Sequence, residues 1–515
     1  MSLFLSGLLT GIALLAQAGP GTWTSYGKNS LGWRYSELDQ INAQNVSRLA
    51  PQWMYQTNVS GKNETTPLVF DGIMYITGPS NYAWALDALT GRPIWAYRRN
   101  PPPNVNLCCG PVNRGFAVHG NTLYKANLEG TLVAMDAKSG VVRWEATLDD
   151  YKKGYSATAA PLVVKNLVVT GMAGAEYGTS GFIDAYDVDN GRRIWRVHTV
   201  AGEGEPGGDS WAGDSWKRGG GSTWITGTYD PELNLIYWGT GNPGPDMLGE
   251  VRQGDNLYTC SLIAIDADTG KIKWHYQFTP HDVHDWDAVG DPVVMDLAIN
   301  GHTTKAVVQA NRNGFFYALD AATGKVLVAK AYTRVTWADG IDSNGKPILI
   351  AGQAPTEDGN RTCPGMGGGH NWQASAYSPM TGLYYFTSAE KCMRFFKTKQ
   401  EYIEGEWYQA STVGRDEPGV GRIDALDPKT GELAWYFETV STPSGGLLTT
   451  AGGLVFGGDA EGYLIALDAR TGKVLWRFQT GGTILAPPIS YSLNGRQYIA
   501  VLGGQTMITF SLPNL

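Results

Sequence analysis

Ala85-Leu86-Asp87-Ala88-Leu89-Thr90-Gly91-Arg92-Pro93-Ile94-Trp95 is one copy of a phrase that recurs along the chain. The pattern is Ala-x-Asp-x-x-(Thr/Ser/Asn)-Gly-x-x-x-Trp, and it returns at residues 134–144, 185–195, 264–274, 425–435 and 466–476. A seventh copy, 318–328, has lost the Trp, and a degenerate eighth unit ends at Trp53. Each copy follows an apolar run such as Gly130-Thr131-Leu132-Val133, so it reads as strand, tight turn, strand. Asp opens the turn, Gly takes the position that needs φ > 0, and Trp begins the next strand. Repeats of about 40–50 residues built of four short strands are propeller blades. The units number eight, so the sequence predicts an all-β chain: an eight-bladed β-propeller with a Trp docked between adjacent blades.

Two intervals between copies are long. Trp195 to Trp274 holds a glycine-rich insertion at 202–221, and Val328 to Trp435 holds one that bears Cys363 and Cys392. Long insertions on a rigid scaffold tend to carry function. Trp53 starts a strand without its three predecessors, and 497–512 supplies strands without a Trp phrase. The simplest closure joins the two ends in one blade, which removes the open edge.

Composition fits this outline. The chain has 515 residues, with 17 % charged, 67 glycines, 18 tryptophans and 26 tyrosines. Coiled coil and disorder need many charges and few aromatics, so both are excluded. A net charge of −8 disfavours nucleic acid as a partner. Residues 1–18 read as a secretory signal: Leu3 to Ala16 is apolar, and Ala16-Gln17-Ala18 is a small-x-small cleavage pattern. No Lys or Arg precedes the apolar run, so a misassigned start or an uncleaved membrane anchor stays open. Residues 19–515 then form a single propeller domain, and export to the periplasm makes disulfides available.

Adjacent cysteines are rare, and Cys108-Cys109 opens the segment Cys108-Cys109-Gly110-Pro111-Val112-Asn113-Arg114-Gly115. Their Cα atoms lie ~3.8 Å apart, closer than in an ordinary disulfide. A bond between them closes a strained eight-membered ring, of a kind that persists mainly at functional sites. Two reduced, buried thiols are the alternative, and export counts against it. His281 and His284 invite a zinc reading, but no Cys or third His lies nearby, and hydrogen bonding accounts for both. Cys260 reads as a buried strand thiol.

With these motifs the chain resembles the pyrroloquinoline quinone (PQQ)-dependent alcohol dehydrogenases, eight-bladed quinoproteins that include the methanol dehydrogenase large subunits. The resemblance covers nearly the whole chain after the leader. Non-catalytic outer-membrane assembly propellers share similar repeats, and they are the alternative. The resemblance implies that a Cys108–Cys109 disulfide lies flat against the cofactor ring and that Arg114 binds it. It implies that Trp224, in Gly219-Gly220-Gly221-Ser222-Thr223-Trp224, forms the floor beneath. Further cofactor-binding residues implied by motif match are Glu64, Thr158, Gly174, Ala175, Ser222, Arg312 and Asn371. Three carboxylates on PQQ call for cationic and hydroxyl partners of this kind.

The implied metal set is Glu176, Asn242 and Asp285, hard oxygen donors of the type Ca²⁺ takes, drawn from three blades. Asp285 is also the implied catalytic base, taking the hydroxyl proton as the alcohol becomes an aldehyde. Asp287 stands where calcium members usually have a small or uncharged residue, and it resembles the lanthanide-dependent branch; it joins the metal set on that basis. The cofactors implied are PQQ and one metal ion, Ca²⁺ or a lanthanide. Pro443-Ser444-Gly445-Gly446 departs from the many members that have a Trp over the substrate pocket there, and the methanol-type C-terminal Trp segment is absent. Cys363 and Cys392 match the spacing of a second family disulfide. No Cys-x-x-Cys-His occurs, so no haem is attached covalently. The expected partners are a small alcohol and a separate electron acceptor such as cytochrome c. The sequence leaves open whether two copies pair as a homodimer.

Overall fold

The computed structural model describes residue 19 and residues 21–513, except 300, 413, 415, 416 and 443. The expected leader at 1–18 lies outside them. Apart from short 3-10 turns, the described residues are strand and loop. Seven sheets of antiparallel strands follow one another at 68–97, 117–147, 162–198, 228–277, 293–331, 376–439 and 447–479, and the last also takes Tyr35–Ser36 as a parallel edge strand. The eighth joins the strand Ala50–Gln56, near the N-terminus, to Thr506–Ser511, Arg496–Gly503 and Ile489–Leu493. Ala50 pairs with Ser511 and Gln56 with Thr506. The fold is the eight-bladed propeller, closed by its two ends.

In most blades the first strand is short, as at Leu68–Phe70 and Thr228–Asp230, while Val293–Ile299 is longer. The fourth strand alternates between covered and open positions, as at Val142–Thr147. One face of that strand meets the next blade and the other meets water, which is why the Trp recurs there.

The docking is the same from blade to blade. Trp53, Trp95, Trp144, Trp195, Trp274 and Trp435 donate their indole N–H to the carbonyls of Ala88, Ala137, Val188, Ala267, Ala321 and Ala469, at 2.9–3.2 Å. Each acceptor belongs to the phrase of the following blade. The glycine of that phrase does a second job. Gly140 has φ +71°, which the turn requires, and a Cβ there would stand 2.8 Å from the Trp95 ring. Trp476 has no such ledge. Its neighbour is the closing blade, whose third and fourth strands come from opposite ends of the chain and so have no turn between them. Trp476 packs edge-on against Phe510 instead, centroids 5.4 Å apart.

The segment that precedes the first full blade crosses the ring. Trp23 pairs with Val69 of the first blade. The Trp33 indole donates to Val294 O at 2.6 Å. Arg34, wholly buried, donates to Leu447 O at 3.0 Å and Pro488 O at 3.2 Å. These contacts reach four sectors of the propeller, so 23–34 plugs one end of the axis. The two insertions build on the opposite end. In the second, the pair Asn360–Thr362 with Met393–Phe395 is tied by the Cys363–Cys392 disulfide.

Candidate active site

Eight segments run into the first strands of the eight blades, and one cavity of about 640 Å³ collects residues from all of them. Glu64, Arg114, Thr158, Trp224, Asp285, Asn371, Ser444 and Leu485 come one from each sector in turn. Neighbouring segments are laced by backbone bonds, Thr66 N–H to Arg114 O at 2.9 Å and Arg114 N–H to Thr158 O at 3.1 Å. The convergence is a property of the ring: a residue at one fixed place in each repeat returns to one axis.

Every residue named above for catalysis, cofactor or metal lines this cavity, except Ala175 and Asn242. Ala175 is buried in the short turn Ala175–Tyr177, behind Gly174, which does line it. Asn242 is buried too, and its side-chain amide donates to Pro243 O at 3.2 Å. It comes close because Gly220, at φ +71°, lets the 242–244 backbone approach; a Cβ on Gly220 would stand 2.5 Å from Asn242 O.

On one side of the cavity, Cys108 and Cys109 are joined by a disulfide. The Arg114 guanidinium stands 2.6 Å from Glu64 Oε2 and donates to Thr158 Oγ1 at 2.9 Å. Its carbon lies 4.8 Å from the Trp224 ring centroid and 5.6 Å from that of Trp372. On the other side, Arg312 Nη1 donates to Asp287 Oδ2 and Nη2 to Met366 O, both at 2.6 Å. Arg312 Nη2 also lies 3.6 Å from Asp285 Oδ2. The Nε atoms of Arg114 and Arg312 and Oδ1 of Asn371 are buried with no hydrogen-bond partner. Orphaned donors in a cavity wall fit a polyanionic, planar guest such as PQQ.

Asp285 sits at φ +61°, a left-handed conformation that costs a non-Gly residue about 1–3 kcal/mol. Such strain is retained where a side chain must be aimed. Enclosure raises the Asp285 carboxyl well above its ordinary range, against the pull of Arg312 and with help from Asp246 and Asp287. Enclosure also pushes Glu176 up to about 7, with the Asp287 charge adding to it. Asp246 is pushed up to about 8, by burial first and by Glu176 next. Among the described residues no three His, Cys, Asp or Glu side chains are arranged to hold a metal ion by themselves. The acids are nevertheless oxygen donors that oppose each other's ionisation, and a cation held among them would restore their charged forms.

His284 stacks on Trp286 and bonds Gln353 O at 2.9 Å, and His281 bonds Gly254 O at 2.8 Å. Both make hydrogen bonds to backbone carbonyls. Cys260 is a buried free thiol. Ser444 lines the cavity, while Pro443 lies outside the described residues. Asp246, Trp372 and Trp407 escaped the reading of the sequence. Trp372 follows Asn371 directly, and Asp246 follows Asn242 by four residues; an acid that close to a proposed ligand was the available signal.

Comparison with known proteins agrees with this geometry. Residues 23–339 match the family described as "Glucose/ethanol/alcohol dehydrogenase, beta-propeller domain". Residues 419–512 match that of the outer membrane protein assembly factor BamB, a stretch that contains none of the implied site residues. The chain is 38 % identical to the quinoprotein alcohol dehydrogenase PedH of Pseudomonas putida, over 92 % of this chain and 84 % of that one. It is 36 % identical to the lanthanide-dependent methanol dehydrogenase of Methylacidiphilum fumariolicum, over 94 % and 85 %. A solved europium-containing methanol dehydrogenase superposes with a TM-score of 0.91 at 33 % identity, covering 97 % of this chain and 99 % of the other. With its fold, its cavity and these relatives in agreement, the chain belongs to the PQQ-dependent alcohol dehydrogenases.

Proposed function

We propose that the cavity holds PQQ together with one cation and oxidises a small alcohol to the aldehyde, with Asp285 as the base. The observation that carries this is the convergence, in one cavity, of the Cys108–Cys109 pair, Trp224, two arginines with unpartnered Nε atoms, and the acids Glu176, Asp285 and Asp287. Arg114 and Arg312 bind carboxylates of the quinone, with Thr158, Ser222 and Asn371 adding hydrogen bonds and Glu64 holding Arg114 in place. Trp224 and the disulfide cover the faces of the guest and exclude water. Glu176, Asn242 and Asp285, with Asp287, hold the cation. When bound, the quinone supplies the two-electron acceptor and the cation supplies Lewis acidity.

Asp285 accepts the hydroxyl proton at its carboxylate. To do so it must be ionised, and Arg312 at 3.6 Å favours that form against the burial that opposes it. Leu107, Met366, Trp372, Trp407 and Leu485 give the wall apolar surface, which suits the carbon chain of an alcohol. The apolar leader at 1–18 supports a periplasmic location, and a c-type cytochrome is the acceptor we expect there.

Purified protein reconstituted with PQQ and either Ca²⁺ or La³⁺ tests the reading. Retention of the quinone absorption after gel filtration, and reduction of a dye or of cytochrome c on adding primary alcohols, are expected. Failure to retain PQQ with either ion would overturn the assignment of the cavity.

A further inference from the structure

We infer that Asp246 belongs to the cation site, as a carboxylate set behind Glu176 and Asn242 whose charge biases the site toward a trivalent ion. This rests on the reading that Glu176 and Asp285 hold a cation. Asp246 is 2 % exposed, and its Oδ1 has no hydrogen-bond partner. An unpaired carboxylate oxygen in a buried position is costly, and it is retained where a cation completes it.

Its position is built rather than incidental. Arg252, wholly buried, donates from Nε to Pro245 O at 3.1 Å and from Nη2 to Asp246 O at 3.0 Å. The same Nη2 donates to Asp282 O at 2.6 Å, and Nη1 donates to Asn256 Oδ1 at 2.8 Å. One guanidinium therefore pins the 245–246 backbone to the loop that carries Asp285 and Asp287. It acts through carbonyls; the Asp246 carboxylate itself meets the side-chain amides of Asn242 and Gln409, and its Oδ1 is left without a partner. From the other side, Met247 N–H bonds Gln409 O at 3.3 Å and Tyr408 N–H bonds Glu176 O at 2.6 Å. The 408–409 backbone thus spans Glu176 and the residue after Asp246. Glu176 is the charge that acts most on Asp246.

The charge count follows. Glu176, Asp246, Asp282, Asp285 and Asp287 are five carboxylates, and two guanidinium groups stand against them: Arg312, ion-paired to the last two, and Arg252, beside Asp282 and Asp246. A 3+ ion offsets that excess better than a 2+ ion, and affinity in oxygen sites rises with ligand charge. Removing one carboxylate lowers affinity for both ions but lowers it more for the trivalent one. General damage to the fold lowers both alike.

The test uses PQQ-loaded protein stripped of metal, dialysed to equilibrium against La³⁺ or Ca²⁺, with bound metal measured by mass spectrometry. Asp246→Asn is expected to weaken La³⁺ binding about 10- to 100-fold and Ca²⁺ binding less, so that the La³⁺:Ca²⁺ preference falls. Asp246→Ser, a smaller side chain, is expected to shift it the same way, and Asp246→Glu to restore it. An unchanged preference in Asp246→Asn and Asp246→Ser, or an equal loss of both ions, overturns the inference. Glu176→Gln run in parallel separates the two readings. If it loses both ions while the Asp246 variants keep the preference, this inference alone fails; if it keeps both, the site itself is wrong.

Discussion

Trp224 donates its indole N–H to Asp287 Oδ2 at 3.1 Å, and the same oxygen takes Arg312 Nη1 at 2.6 Å. Oδ1 of Asp287 accepts the Asn242 backbone N–H at 2.7 Å. One buried carboxylate therefore fixes the aromatic floor, a guanidinium and the segment behind the acids. A residue that reads from the sequence as a metal ligand is also a structural hub.

Asp287→Ala is accordingly expected to loosen Trp224 as well as to remove a charge. PQQ retention should fall about 10- to 100-fold, as on losing a group that orients ligands. Activity with La³⁺ should fall further than activity with Ca²⁺. Titrating metal-free protein with PQQ by absorption, then assaying with each ion, checks both parts; an effect on the ion alone would deny the hub role.

Asp285→Asn keeps the shape of the side chain and removes the base. Turnover should drop about 10²–10⁴-fold while PQQ still binds through Arg114 and Thr158. Steady-state alcohol oxidation beside a PQQ-binding titration reads the two separately. Loss of binding with little loss of turnover per bound quinone would move Asp285 out of the chemistry.

The ledge beneath each docked Trp can be tested without touching the cavity. Gly140 and Gly120 both have positive φ, +71° and +55°, but a Cβ on Gly140 meets Trp95 at 2.8 Å while nothing lies within 4 Å of Gly120. Gly120→Ala should cost only the backbone term, about 1–2 kcal/mol. Gly140→Ala should cost more, because the indole must shift as well. Melting curves of the two variants decide; equal losses would mean that the ledge contributes nothing.

Burial lowers the His370 pKa to about 4, against a single backbone bond, Nδ1 to Thr387 O at 2.7 Å, that raises it. The unfolded chain takes up this proton near pH 6.5, the folded protein only near pH 4. The neutral ring's contribution is therefore complete above pH 6.5 and declines as the pH falls from there toward 4, by on the order of 3 kcal/mol in all. His370→Gln should flatten that part of the stability curve. Denaturant unfolding between pH 7 and 4 shows whether it does.

The fold was legible because its information is repeated. The Asp–Gly–Trp spacing states the turn and the strand order six times, and the unmatched strand at Trp53 implies the closure. Arg114, Trp224 and Arg312 were reachable because each sits beside a local oddity: paired cysteines, a glycine run, an Asn-Arg-Asn turn. Asp246 offered only its nearness to Asn242, and Trp407 offered nothing. Their places depend on how the chain doubles back, which Arg252 decides locally and the 408–409 backbone from far along the chain. The plug at Trp23 to Arg34 was equally silent, since its contacts at Val69, Val294, Leu447 and Pro488 follow no periodicity.

The strand pairing of Ala50–Gln56 with Thr506–Ser511 has a consequence for when the cavity exists. Until that seam is made, the eighth sector has no fourth strand, and Leu485 and Glu64 on either side of it lack a closed frame. The cavity draws on all eight sectors, so a half-closed ring cannot capture its quinone piecemeal. Loading belongs to the closed ring, and a variant that opens the seam should lose its cofactor site outright rather than hold the quinone more weakly.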